Sequence, residues 1–150
     1  MIESLENAFQ VLVLIICCSV CLLQAIRRRD RSLTLLFFYY GSYLMGDLYW
    51  QICLFYFGET PDVKWVSDMS WYGAFLFLYL LVKLEEKNTF GDATIPIKLR
   101  LEPAALWPYL AFVFTFGMGL FYMQLGDVIS NIVYAIILGM TISRCLFAFA

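Results

Sequence analysis

The chain contains no histidine, and with it go the commonest general base near neutral pH and the commonest metal ligand. Charge is scarce as well: only 15% of its 150 residues are charged, against roughly 25% in a soluble domain. The signs nearly balance, at a formal net charge of −2, so there is neither a basic face for nucleic acid nor an acidic tail for a basic partner. Cysteine is present but never in a polar loop. Cys17, Cys18, Cys21, Cys53 and Cys145 all fall inside apolar runs, where no extracellular disulfide framework would be built. Cys17, Cys18 and Cys21 are expected to pack, because a mid-run Cys-x-x-Cys lacks the helix N-terminus that makes such thiols reactive. The first residues carry Glu3 and Glu6 and no Lys or Arg, so the first apolar run lacks the basic flank of a cleavable signal and is expected to be retained.

What the chain does have is apolar sequence, 63% of it, above the ~45–50% of a globular protein. A helix needs roughly 20 apolar residues to cross a hydrocarbon core of ~30 Å. Runs of that size occur at about 8–26, 33–58, 65–84, 104–125 and 128–148. They are separated by Arg27-Arg28-Arg29-Asp30-Arg31, by Glu59-Thr60-Pro61-Asp62, by a long connection through Glu85–Pro103, and by Gly126-Asp127. The expected fold is therefore all-α: one polytopic transmembrane bundle of about five spans, either complete or part of a longer chain. Between the third and fourth runs, Ile95, Ile97, Leu99 and Leu101 alternate with polar residues and Pro96, as an extended segment lying on headgroups would.

Orientation follows from the excess of Lys and Arg in cytoplasmic loops. An outside N-terminus puts nine of the ten basic residues inside, all but Lys64, and makes the C-terminus cytoplasmic. The plasma membrane is the expected location.

One residue resists a purely structural reading. Asp47 stands about fourteen residues from one end of its run and eleven from the other, near mid-bilayer. Insertion of an aspartate there costs ~2.5–3.5 kcal/mol, so such residues face the bundle interior and mark sites or pathways. Tyr40, Tyr43 and Gln51 recur with it at helical spacing, forming one polar stripe. Tyr72 on the third run, and Asn131 and Tyr134 on the fifth, are candidates to meet it. The candidate ligand- or proton-binding set is thus Asp47, Tyr43, Gln51, Tyr72, Asn131 and Tyr134. Singly, each tyrosine or amide could equally be a hydrogen-bonded clip between helices, contributing ~0.6–2 kcal/mol.

Two comparisons with aspartate-bearing membrane enzymes stop short of a family. Intramembrane aspartyl proteases carry Gly-x-Gly-Asp, and here Leu44-Met45-Gly46-Asp47 has leucine at the first glycine. The stretch Ser42–Asp47 resembles the Ser/Gly-Asp segment of lysoplasmalogenase-type proteins over six residues, but those proteins have more spans. No complete catalytic constellation is present, which favours binding over catalysis. The leading reading is a membrane-embedded binding or sensory module that takes a small ligand, a lipid group or a proton near Asp47. The alternatives are a transporter or channel subunit using Asp47 as a proton or cation site, and an intramembrane hydrolase pairing Asp47 with Asp68 or Asp127. Membrane lipids, a small-molecule ligand and a second copy of the chain are the expected partners. No cofactor, metal or nucleic acid is expected.

Overall fold

The computed structural model describes residues 2–91 and 128–149, together with Leu110, Val113 and Gly117. Four helices run through the described residues: α1 (Ile2–Arg28), α2 (Arg31–Tyr56), α3 (Trp65–Phe90) and α4 (Val128–Phe149). The fourth expected run, near 104–125, and the alternating segment Ile95–Leu101 lie almost wholly outside the described residues. The chain divides into two units, Met1–Phe77 and Leu78–Ala150, with the boundary inside α3.

The helices start and stop where local chemistry directs. Asp30 is the N-cap of α2, its Oδ1 accepting the Ser32 N–H at 2.8 Å, while its carbonyl accepts from Thr34. Such a cap satisfies one of the orphan donors of a helix N-terminus, worth about 1 kcal/mol. At the other end the Phe57 N–H closes on the Cys53 carbonyl at 2.9 Å, and Gly58, at φ +71°, takes the left-handed conformation that ends a helix without steric cost. The helix stops two residues before the end of the apolar run. In contrast, α3 continues through Glu85, Glu86 and Lys87 to Phe90, past the end of its apolar run near Leu84. In the first turn of α3 the Ser67 hydroxyl donates backward to the Lys64 carbonyl at 2.8 Å.

In the first unit α1 and α2 form an antiparallel hairpin with closely packed backbones. Gly41 lies at this contact, where a Cβ would make an ordinary van der Waals contact with the Cys18 Sγ at 3.7 Å. The other side of α2 meets α3 through rings, with Phe38 stacked on Phe77 at 5.2 Å and Tyr43 edge-on to Phe75 at 6.1 Å. All five cysteines are free thiols.

Among the described residues two helices, through Ser4–Arg28 and Trp65–Thr89, are long and apolar enough to cross a membrane. The similarly long α2 is diluted by Tyr39, Tyr40, Tyr43, Asp47, Tyr49 and Gln51, and α4 has a shorter apolar stretch, Asn131–Leu146. Along α1 large aliphatic side chains stand open to the surroundings, among them Leu12, Ile16, Val20, Leu23 and Ile26.

Candidate functional site

Asp47 occupies the middle of the first unit and is 2% exposed. Its Oδ1 accepts a hydrogen bond from the indole Nε1 of Trp71 on α3, at 3.0 Å. Its Oδ2 is buried and, among the described residues, has no hydrogen-bond partner. No cation balances it there either.

The neighbouring Gly46 explains how the indole reaches this position. A Cβ built on Gly46 would stand 2.6 Å from the Trp71 Nε1, closer than real side chains tolerate. The Gly-Asp pair therefore works as notch and acceptor: glycine admits the ring, and aspartate takes its N–H. The ring is held on both flanks by other aromatics, Trp50 at 5.8 Å and Tyr43 at 6.4 Å between centroids. Aromatic pairs at such separations contribute ~0.5–1.5 kcal/mol beyond burial and fix the plane of the ring.

A second polar layer ties the same stretch of α2 to α1. The Asn7 Nδ2 donates to the Gln51 Oε1 at 2.8 Å and to the Asp47 backbone carbonyl at 3.2 Å, while the Gln51 Nε2 donates to the Ser4 Oγ at 3.3 Å. Asp47 is thus fixed through its backbone by α1 and through its side chain by α3.

Of the residues expected from the sequence, the structure brings Asp47, Tyr43 and Gln51 together. Tyr72 is on α3 beside Trp71 but makes none of the contacts to Asp47 just described. Asn131 and Tyr134 belong to the second unit. Two members of the site, Trp71 and Asn7, were not anticipated. Asn7 had a signal, as a polar residue at the edge of the first apolar run; Trp71 had none that singled it out from the other aromatic residues of α3. Successive helical residues diverge by about 100°, so choosing Tyr72 rather than Trp71 selected a different face of α3.

Asp68, the other acid considered, sits in the first turn of α3, where the helix dipole favours a carboxylate. It is not hydrogen-bonded to Asp47, whose two oxygens are accounted for above. Asp127 lies outside the described residues. Among the described residues no group of three or more acidic or thiol side chains is placed to hold a metal ion.

The second unit has a half-buried acid of its own. Glu86 near the end of α3 accepts from the Arg144 Nη1 of α4 at 2.6 Å, and the guanidinium lies 5.4 Å over the Tyr79 ring. Here charge meets charge, and the arginine is further held by a cation–π contact.

Comparison with protein-family models, with curated proteins and with solved structures finds no match to this chain.

Proposed function

We propose that the chain is a polytopic membrane protein, of about five spans with its N-terminus outside, that houses a binding or sensory site for a proton or a small ligand at Asp47. The observation that carries this reading is the carboxylate itself: almost wholly buried, with one oxygen aimed and held by Trp71 and the other left without a donor. Buried polar groups are ordinarily satisfied, and an exception asks for an explanation. A proton, or the donor group of a ligand, would complete Oδ2.

The membrane setting is supported by the open aliphatic surface of α1, which in water would leave large areas unburied at ~25 cal/mol per Å². Charge supports it as well. The α1–α2 turn holds four arginines, whereas the α2–α3 turn holds Glu59, Asp62 and Lys64. The 26 residues of α2 separate these turns by about 39 Å, enough to put them on opposite sides of a bilayer.

The hydrolase alternative loses ground because its required partner is not hydrogen-bonded to Asp47 in the case of Asp68. Nothing in the described residues favours transport over sensing.

Two measurements test the reading. In proteoliposomes of a cysteine-free background, a thiol introduced at Thr60 should label with an impermeant reagent from outside and one at Arg29 should not; the reverse would defeat the orientation. With Trp50, Trp65 and Trp107 replaced by Phe, the emission of Trp71 should respond to acidification, and Asp47→Asn should abolish the response. An emission unchanged from acid to alkaline buffer would reject proton sensing, and the same result on titration with a lipid extract would reject ligand binding.

A further inference from the structure

The four arginines at the junction of α1 and α2 are only partly explained by the helices. Arg27 and Arg28 close the last turn of α1, where the helix dipole welcomes cations. Arg29 and Arg31 are placed against local preference. Arg29 adopts φ 51°, a left-handed conformation uncommon outside glycine, asparagine and aspartate. Arg31 is the first residue of α2, where the dipole opposes a positive charge. The acid between them gives little relief, because the Asp30 carboxylate is engaged in capping α2 through the Ser32 N–H. Four arginines and one aspartate leave the five residues at a net +3. All five are exposed, and among the described residues none of the arginines forms an ion pair.

Just below this turn the surface of α1 is apolar, with Leu23 56% and Ile26 67% exposed. A basic rim on an open aliphatic stem is the shape of a lipid: phosphate above, acyl chain below. A helix of 26 residues, about 39 Å long, carries the turn past a ~30 Å hydrocarbon core to the level of the phosphates.

We infer that the Arg27–Arg31 turn is a binding site for the phosphate headgroups of anionic lipids, with the acyl chains lying along Leu23 and Ile26. The guanidinium groups offer paired donors matched to phosphate oxygens. The unfavourable placement of Arg29 and Arg31 is then offset by the lipid rather than by the protein. This site rests on the membrane reading above, but not on Asp47.

The test reconstitutes the full chain into vesicles of phosphatidylcholine alone and of phosphatidylcholine mixed with phosphatidylglycerol. Lipid retained after extraction into mild detergent is then measured by mass spectrometry. The chain should retain phosphatidylglycerol in preference to phosphatidylcholine, and the preference should weaken with salt. At about 1 kcal/mol per basic residue near an anionic surface, removing three charges with Arg27→Gln, Arg28→Gln and Arg31→Gln should cut the preference by roughly a hundredfold. The matching Arg→Lys variant, which keeps the charge, should retain most of it, and circular dichroism of both variants checks that the helices persist. Equal retention of the two lipids by the unaltered chain, or an undiminished preference in the glutamine variant, overturns the proposal. Failure of the unaltered chain to enter either vesicle would instead sink the membrane reading, and this site with it.

Discussion

Asp47 in the first unit is buried and Glu86 in the second is half-buried, and the two acids are answered in opposite ways. Glu86 meets a guanidinium, and both charges of the pair are answered within the unit. Asp47 meets an indole, which supplies a hydrogen bond and no charge. Glu86 is the less buried, with 17% of its side chain exposed against 2% of residue Asp47, yet it has the stronger partner. Burial penalises an unpaired charge steeply, so a fold built only for stability would place its cation at the deeper site. The inverse arrangement is the physical reason for treating Glu86–Arg144 as a brace and Asp47 as a site.

The largest expected effect comes from closing the notch. Gly46→Val puts atoms where the Trp71 ring lies, since a Cβ alone would be 2.6 Å from its nitrogen. The ring must move, adding about 1–3 kcal/mol of overpacking to about 1–3 kcal/mol for the lost hydrogen bond. Thermal unfolding in detergent micelles should show the loss, and Trp71→Leu in the same chain should recover part of it, because the two residues are in contact and their effects do not add. If Gly46→Val unfolds like the unaltered chain, Asp47 is held by something other than the indole and the contrast between the two acids dissolves.

Next in size is the brace. Arg144→Met strands Glu86 without its cation. The pair is half-open, with Arg144 36% exposed in its side chain, so the cost falls between the ~0.2–1 kcal/mol of a surface pair and the ~3–5 kcal/mol of a fully buried one, at about 1–2 kcal/mol. Adding Glu86→Gln should return most of that stability. A double-mutant cycle with no coupling would show that Arg144 acts through Tyr79 rather than through Glu86.

How much of this was legible beforehand depends on which physical signal carried it. The helices at 2–28, 31–56 and 65–90 follow from long apolar runs and from breakers such as Asp30 and Gly58, which act locally. Asp47 announced itself because a carboxylate is costly in an apolar run, and its stripe with Tyr43 and Gln51 followed from helical spacing alone. The identity of its partner did not follow, because which face of α3 turns toward α2 depends on packing between helices. Aromatic residues stand on several faces of α3, at Trp71, Tyr72, Phe75, Phe77 and Tyr79. Periodicity cannot choose among them; the choice appears only in the packing, with the Trp71 ring in the notch at Gly46. The extension of α3 past Leu84 was hidden for a related reason. Glu85, Glu86 and Lys87 read as the end of an apolar run, but charged residues with good helix propensity continue a helix, and Glu86 has Arg144 to meet.

The smallest expected change in stability is also the one that decides what Asp47 is for. Asp47→Asn keeps the side chain's shape and leaves a carbonyl oxygen to accept the Trp71 N–H. It exchanges the unpartnered oxygen for an amide group, whose unmet donors cost about 1–3 kcal/mol, and it removes the penalty of an uncompensated buried charge, which acts in the other direction. The two nearly cancel, so unfolding should shift by no more than about 1 kcal/mol. Asp47→Leu lacks this balance: it strands the indole N–H as well and should lose about 1–3 kcal/mol. The pair of variants therefore separates the carboxylate's charge chemistry from its service as an acceptor. A large loss on Asp47→Asn, comparable to that of Arg144→Met, would mean that Asp47 is a charged brace with a cation of its own, and the two units would no longer differ. A stable Asp47→Asn chain that keeps the Trp71 emission response would leave Asp47 as an interhelical clip. A stable chain that has lost the response would make the ionisable oxygen opposite Trp71 the sensing group.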